Sequence, residues 1–151
     1  MKIQTKFLGE VQIESASIIQ FPQGIPAFEE EKEFVVVPLG AQSPFVTLQS
    51  VKTPSVGFMA AYPYHFKQDY AFDLEEDDLQ QLQVEQPEDI LVYGILTLKD
   101  TLENSTMNLL APIAINAKKQ LGKQVVLHEN AAHPLRYPLK PKKGSGQSCS
   151  Y

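Results

Sequence analysis

The sequence contains little cysteine and no long apolar run, and each absence excludes a class of protein. Cys149 is the only cysteine among 151 residues, so the chain can form no internal disulfide, thiolate metal cluster or paired redox motif. Its longest apolar runs, such as Phe34 to Leu39 and Ile90 to Leu98, are far shorter than the roughly 20 residues that a membrane-spanning helix needs. The first residues, MKIQTKF, alternate in polarity and lack the apolar stretch of a secretion signal. We therefore expect a cytoplasmic protein without membrane association.

The motifs that mark common enzymes are also missing. No serine lies in a G-x-S-x-G sequence, and no glycine-rich loop is present to bind phosphate. The sequence HENAAH, from His128 to His133, resembles a zinc-protease motif but separates its histidines by five residues instead of four. That spacing places the two side chains about 140° apart around a helix, so they cannot share a metal ion. We predict no enzymatic activity, no metal and no cofactor.

The acidic residues are concentrated in one part of the chain. The net charge is −5, but residues 140–151 contain three lysines and no acids, so residues 1–139 carry ten basic against eighteen acidic residues. A body of this charge should repel nucleic acid. The segment from Asp69 to Asp89 holds nine acids and no lysine or arginine. Such a run is typical either of a solvated face or of a docking surface for a basic partner.

Alternation of apolar and polar residues predicts an all-β fold. The predicted strands lie in segments 3–13, 18–21, 34–37, 45–51, 56–61, 90–98, 106–110, 113–116 and 124–128. One short surface helix is expected from Leu74 to Leu82, capped by Asp73 and with Leu79 and Leu82 buried against a sheet. We predict one domain over residues 1–139 and a basic, flexible tail over residues 140–151.

The sequence FPQGIPAFEEE, from Phe21 to Glu31, predicts a rigid corner. Pro22 and Pro26 fix their own backbone and hold the residues before them extended, while Gly24 supplies the bend. The core would be plugged from one side of the corner by Phe21, Ile25 and Phe28. Glu29 to Glu31 would lead out into solvent. A structural corner is favoured over a site, although a rigid corner with an acidic exit could also form a contact surface.

The corner also resembles the most recognisable motif of the bacterial flagellar assembly factor FliW family. In that motif, phenylalanine-proline, glycine-isoleucine-proline and an aromatic-glutamate pair follow the first strands. Further pieces agree in order, and together they span nearly all of residues 3–128: FVTLQS at Phe45 to Ser50, Pro63, Asp69-Tyr70, and LTL followed by TMNLLAPIAIN between Leu96 and Asn116. Ala27 stands where the family more often has glycine, so a positive φ at this position would be strained. The tail beyond about Pro138 lies outside the shared pattern.

The resemblance implies a small all-β protein, barrel-like or prism-like, built from antiparallel strands and without enzymatic activity. Family members bind flagellin in the cytoplasm. They also bind CsrA, a small RNA-binding translational repressor, and relieve its repression of flagellin message. Because flagellin competes for the assembly factor, the free pool of the factor reports on secretion.

Two surfaces are candidates for these partners. An RNA-binding repressor must carry a basic surface, so we hypothesise that it contacts an acidic patch formed by Asp73, Glu75, Glu76, Asp77 and Asp78. The assembling ends of flagellin are helical and apolar, which favours an apolar groove or a sheet edge. The candidates for that contact are Asn108, Leu110, Pro112 and Asn116, with Pro112 marking a break or an edge. The alternative is that this segment only fills the core.

Two rival functions remain open. The first is a small-molecule or carbohydrate-binding β-barrel whose mouth is lined by Tyr62, Tyr64, Phe66 and Tyr70. The second is a hydrolase without a familiar motif, which would show a deep pocket holding a desolvated acid or histidine.

Overall fold

Strands dominate the protein, as the alternating sequence predicts. A computed structural model describes residues 1–40, 42–127 and 133–139. In chain order its strands are β1 (Lys2–Thr5), β2 (Gly9–Gln12), β3 (Ile19–Gln20), β4 (Glu33–Pro38), β5 (Phe45–Ser50), β6 (Gly57–Ala61), β7 (Ile90–Thr97), β8 (Thr106–Asn116), β9 (Leu121–Gln124) and β10 (Tyr137–Pro138). The all-β prediction is confirmed.

Seven of the strands close into a barrel. Their order is β8-β7-β6-β5-β4-β3-β9, and β9 completes the ring by pairing with the C-terminal half of β8. Neighbouring strands are antiparallel except β3 and β9, which run parallel and share the single residue pair Gln20 and Leu121. Gln120 reinforces this narrow seam, because its side-chain amide donates to the carbonyl oxygens of Ala16 (2.5 Å) and Ile18 (2.8 Å).

One apolar cluster fills the barrel interior. It draws side chains from strands β3 to β8 and from the corner after β3: Ile19, Phe21, Ile25, Phe34, Val46, Leu48, Ala60, Tyr93, Ile113 and Ile115. Gly122 of β9 faces this cluster, since a Cβ added there would lie 2.5 Å from the Phe21 ring. The barrel is therefore a packed core.

The β1–β2 hairpin covers part of the outer face of the barrel. Ile3 and Ile13 pack against Val35, which points outward from β4. The hairpin is also held by a partly buried polar contact, in which the Lys6 N–H donates to Gln49 Oε1 at 2.9 Å. Gln49 is fully buried, so this contact satisfies an oxygen that has no access to water.

Two short helices lie on other parts of the outer face. Helix α1 (Pro63–Phe66), the segment after it and β10 cover a cluster whose buried members are Ala61, Tyr70, Val92, Leu96, Met107, Leu109 and Leu139. Helix α2 (Glu76–Gln81) lies beside another cluster, whose buried members are Leu82, Ala114 and Val125. Short 3-10 turns occur at Ser15–Ser17, Pro87–Asp89 and Leu102–Asn104.

The helices correct the sequence prediction in four respects. Helix α2 is shorter than the predicted Leu74 to Leu82, and its N-cap is Glu75, not Asp73. Leu82 is buried as predicted, but Leu79 is 38% exposed, so the predicted stripe of two leucines does not form. Helix α1 was not predicted; Pro63 at its first position suits a helix start because it has no N–H to leave unpaired.

Two strand positions also differ from the prediction. The strand expected at Gln124 to His128 lies earlier, at Leu121–Gln124, and β10 was not predicted. Residues 128–132, which hold most of the HENAAH sequence, and the predicted tail at residues 140–151 lie outside the described residues.

Strand β8 is continuous where two strands were predicted, and Pro112 lies inside it. The pairing with β7 is nevertheless irregular, since Tyr93 pairs with Ile113 and Ile95 pairs with Asn108. Gly94 alone therefore opposes the four residues 109–112. Because this bulge changes which positions face inward, Leu109 packs outside the barrel and Ile113 packs inside it.

The corner at residues 21–31 is structured largely as predicted. Phe21 and Ile25 are buried, whereas Phe28 is 38% exposed and contacts the Phe58 ring edge-on at 5.4 Å. Gly24 has φ +69°, and a Cβ there would lie 2.5 Å from the backbone of Glu29. Its acidic exit differs from the prediction.

Glu31 turns back to the barrel and does not lead into solvent. Its carboxylate accepts hydrogen bonds from the hydroxyls of Ser50 (2.5 Å) and Thr53 (2.9 Å). Glu29 and Glu30 are exposed. The corner is thus held to the barrel by the polar contacts of Glu31 as well as by the buried side chains of Phe21 and Ile25.

Candidate partner-binding site

The predicted acidic patch lies on and before α2, but its five members differ in exposure. Asp73, Glu75, Glu76 and Asp77 are exposed, whereas Asp78 is buried. The Asp78 carboxylate accepts the N–H of Glu75 at 3.3 Å and lies 2.5 Å from Lys123 Nζ. Asp78 therefore stabilises the first turn of α2 and attaches the helix to β9.

Three lysines from distant sequence neutralise part of the acidic segment. Lys118, Lys119 and Lys123 lie on β9 and the turn before it. Their ammonium groups pair with Asp89 (3.1 Å), Glu85 (3.7 Å) and Asp78 (2.5 Å) respectively. The segment from Asp69 to Asp89 contains no lysine or arginine, but in the folded protein these three lysines lie next to it.

Asp89 accepts two backbone hydrogen bonds in addition to its ion pair with Lys118. Asp89 Oδ2 accepts the backbone N–H groups of Glu85 (3.1 Å) and Gln86 (3.0 Å). The hydrogen bond from Gln86, followed by that from Lys118, lowers the pKa of the Asp89 carboxyl. The same pair raises the pKa of Lys118. Asp89 thus organises the turn that leads into β7.

What remains of the patch is a set of four exposed carboxylates, and we call it the α2 acidic surface: Asp73, Glu75, Glu76 and Asp77. None of the four forms an ion pair with another described residue. Asp77 accepts a hydrogen bond from Gln81 at 2.9 Å, one turn along the helix. The arrangement presents concentrated negative charge on a fixed backbone.

A groove adjoins the α2 acidic surface. This α2 groove has a volume of about 520 Å³, within the usual range of roughly 300–1,000 Å³ for ligand-sized clefts. Its lining includes the apolar residues Tyr64, Leu79 and Val84 and the acidic residues Asp73 and Glu85. Sequence reasoning missed this groove, because it placed Leu79 against a sheet, whereas Leu79 is exposed and lines the groove.

The four residues proposed for flagellin contact do not form one exposed surface. Pro112 and Asn116 are fully buried, whereas Asn108 and Leu110 are partly exposed. The side-chain Oδ1 of Asn108 accepts the N–H groups of Leu110 (3.0 Å) and Ala111 (2.9 Å), so it shapes the irregular part of β8. Only Asn108 and Leu110 have surface to offer to a partner.

Asn116 links two elements and its contacts are structural. Its side-chain NH₂ donates to the carbonyl oxygen of Leu82 (2.8 Å) at the end of α2. Its side-chain oxygen accepts the N–H groups of Lys118 (3.1 Å) and Lys119 (3.3 Å) in the turn before β9. This buried amide thus connects α2 to the turn that supplies two of the paired lysines.

The four aromatic residues of the rival ligand-binding hypothesis are divided among three ring contacts, and Phe66 packs on Phe45 with ring centroids 5.8 Å apart. Tyr62 packs on Tyr93, with ring centroids 5.1 Å apart, and Tyr64 packs on Tyr70 at 6.0 Å. Tyr70 is buried and donates its hydroxyl to the Leu109 carbonyl at 2.8 Å; burial raises its pKa. Because the barrel interior is filled by side chains, these aromatic residues do not line the mouth of an internal cavity.

Among the residues that the structure describes, no group of three or more His, Cys, Asp or Glu side chains is arranged to hold a metal ion. No helix there is long and apolar enough to cross a bilayer.

Known proteins resemble the chain over nearly its whole length. A family model described as FliW protein matches residues 2–139. The flagellar assembly factor FliW of Bacillus licheniformis is 47% identical over 131 residues, covering 87% of this chain and 92% of the relative. The protein of the same name from Bacillus subtilis is 42% identical over 149 residues, covering 99% and 100%. A crystal structure of the flagellar assembly factor FliW superposes with a TM-score of 0.88 at 43% identity, covering 95% of this chain and 99% of that one.

Proposed function

Because the chain belongs to the FliW family of flagellar assembly factors, we propose that it binds flagellin in the cytoplasm and antagonises the translational repressor CsrA. In this proposal it acts by exchanging partners and not by catalysis. Flagellin that awaits secretion occupies the protein, and secretion frees the protein to bind the repressor. The synthesis of flagellin is thereby coupled to its export.

The α2 acidic surface is the observation that carries this proposal. A repressor that binds RNA must carry basic residues for the phosphates. Four exposed carboxylates, free of ion pairs within the described residues, suit such a surface. Each exposed pair contributes only about 0–1 kcal/mol, so several must act together. Their negative charge would also repel RNA held by the same repressor.

Charge reversal on α2 tests the repressor contact. The variant should be Glu76→Lys with Asp77→Lys; Asp78 is left intact because it caps the helix and pairs with Lys123. We expect affinity for CsrA at low salt to fall about tenfold or more, since two attractive charges become repulsive. The matched control is Glu30→Lys with Glu103→Lys, which makes the same change of charge at exposed positions elsewhere. Equal affinities of both variants, measured by calorimetry, would rule out the α2 acidic surface.

The flagellin contact is tested at the exposed part of β8. We propose that Leu110 and Asn108 contribute to it, with Leu110→Ala expected to weaken flagellin binding. Asn108→Ala is a poor probe, because it removes the acceptor of two backbone N–H groups. Asn108→Asp retains that acceptor and changes only the exposed end of the side chain. If both Leu110→Ala and Asn108→Asp bind flagellin as wild type does, flagellin contacts another surface.

Mixing experiments test the function as a whole. The protein, flagellin monomer and CsrA are combined pairwise and together, and the complexes are resolved by size-exclusion chromatography. We expect each partner to bind alone and flagellin to displace the repressor. Failure of the protein to co-elute with either partner would contradict the proposal.

A further inference from the structure

Leu110 of β8 has an apolar neighbour on the segment that follows β9. The Leu127 N–H donates to the Leu110 carbonyl oxygen at 2.8 Å, and the Val125 N–H donates to the Pro112 carbonyl oxygen at 2.9 Å. These bonds continue the antiparallel register of β8 and β9. Leu127 therefore lies opposite Leu110 on the same face, where Cβ atoms are about 4.5–5.5 Å apart. Both leucines are partly exposed, so they form an apolar pair that a partner can reach.

Leu127 also lines a second groove, together with two members of the α2 acidic surface, Asp73 and Glu75. The volume of this groove is about 190 Å³, which is below the roughly 300–1,000 Å³ of clefts that hold a ligand of their own. It has room for side chains of a protein that lies across it. Leu127 thus connects the proposed flagellin contact at Leu110 with the proposed repressor contact.

We propose that flagellin contacts Leu127 as well as Leu110, and that flagellin bound there covers Asp73 and Glu75 and excludes the repressor by steric overlap. This inference rests on the proposed function and adds to it the residues that the two partners share. A segment that buries both leucines is wider than the pair, since an α-helix with its side chains is about 10–12 Å across. It therefore overlies the groove beside Leu127. Carboxylates covered by flagellin are then closed to the basic residues of the repressor.

Truncation of Leu127 tests the contact. Leu127→Ala should weaken flagellin binding about threefold or more through the loss of apolar contact, and it should leave the affinity for CsrA unchanged. The matched control is Leu121→Ala. Leu121 is a partly buried member of the same apolar cluster as Leu127, but it pairs with Asn116 at the other end of β9, so both affinities should stay as in wild type.

Calorimetry measures these affinities, and the thermal melting midpoint of each variant shows whether it remains folded. Equal flagellin affinity in wild type and Leu127→Ala would overturn the inference. An equal loss in both leucine variants would also overturn it, because the loss would then come from packing within the cluster.

A bulky adduct tests the overlap directly. Cys149 is the only cysteine, so Asp73→Cys in a Cys149→Ser background can be coupled to a maleimide that carries a polyethylene glycol chain. Asp73 is exposed, and the adduct should weaken the binding of flagellin and of CsrA about tenfold or more. The same adduct at Glu30→Cys, an exposed position on the corner, should weaken neither. Flagellin binding that is unchanged by the adduct at residue 73 would contradict the overlap.

Competition distinguishes steric overlap from coupling between distant sites. With overlap, rising flagellin weakens the apparent affinity for CsrA without limit, whereas an allosteric effect reaches a plateau set by the coupling free energy. We expect no plateau and no complex that contains all three proteins. A plateau or a ternary complex would overturn the inference and leave the proposed function standing, since both partners would still bind. If flagellin does not bind the wild-type protein, the proposed function fails and this inference fails with it.

Discussion

At the scale of single residues, Ala27 is the clearest departure from what its position favours. The Phe28 N–H donates to the Ile25 carbonyl oxygen at 2.6 Å, with Pro26 and Ala27 between them. Ala27 has φ +73°, so residues 25–28 match a type II turn, in which the third residue is usually glycine. From the sequence, a positive φ at Ala27 is predicted to be strained. Ala27 does adopt a positive φ, so the backbone is strained at this residue.

Ala27→Gly should stabilise the protein. Glycine adopts positive φ without the clash of a Cβ, and the relief exceeds the entropy that glycine adds to the unfolded chain. We expect the free energy of unfolding to rise by about 1 kcal/mol, measured by urea denaturation. Ala117→Gly is the control, since Ala117 is exposed in a turn and does not have positive φ; it should give no gain. A loss of stability in Ala27→Gly would contradict the strain argument.

The buried amide of Asn116 supports a second prediction at this scale. Asn116→Ala leaves the carbonyl of Leu82 and two turn N–H groups without their partner. Unfolding free energy should fall by about 2–3 kcal/mol, while Asn104→Ala, at an exposed 3-10 turn, should change it little. We expect this cost to come from lost structural contacts. A loss of flagellin binding in Asn116→Ala would therefore indicate a direct contact between Asn116 and flagellin only if the thermal melting midpoint of the variant were unchanged.

At the scale of elements, the sequence predicts strands well where a short run of β-branched and aromatic residues is bounded by polar or turn residues. Strand β4 is an example: predicted at Phe34 to Val37, it extends by one residue at each end. Strand β8 could not be predicted as well, because its bulge opposite Gly94 depends on how β7 pairs with it. A prediction from alternating polarity assumes that every second residue of a strand faces the barrel interior. The bulge breaks this alternation, so Leu109 faces outward although Ile113, four residues later, faces inward.

Packing between the corner and β9 is testable with a double-mutant cycle. Gly122→Ala should destabilise the protein by about 1–3 kcal/mol, because the added Cβ would lie 2.5 Å from the buried Phe21 ring. Phe21→Leu makes room for that methyl group, so the double variant should be more stable than the sum of the single changes predicts. Gly94→Ala meets Met107 instead, and its effect should add to that of Phe21→Leu. Additivity in both cycles would contradict the proposed contact.

At the scale of the whole molecule, charge pairing across the sequence was the feature that sequence reasoning could not supply. The composition of residues 69–89 indicated concentrated acid, and the exposed carboxylates at Glu75 to Asp77 agree with it. The partners of Asp78 and Asp89 lie 45 and 29 residues further along the chain. The local sequence around the acids or around the lysines does not show that these residues pair. They meet because β9 closes the barrel and brings the lysines next to the acidic segment. The acidic segment therefore serves two roles, holding α2 and its following turn to the barrel and presenting the rest of its charge to solvent.

This division of roles predicts how stability depends on pH. The Gln86 N–H and Lys118 lower the pKa of Asp89 in the folded state, so its stabilising contribution is complete above the unfolded pKa of about 4. The contribution is lost as pH falls through the folded value, where the carboxyl is protonated. Asp89→Asn should therefore lower the urea midpoint near neutral pH, and the difference from wild type should shrink as pH falls below the unfolded pKa of about 4. Glu103→Gln, an exposed control, should show no such pH-dependent difference. A deficit in Asp89→Asn that stayed constant across this range would mean that Asp89 acts through packing and not through its charge; the link between the acidic segment and the barrel would then rest on Asp78 and Lys123.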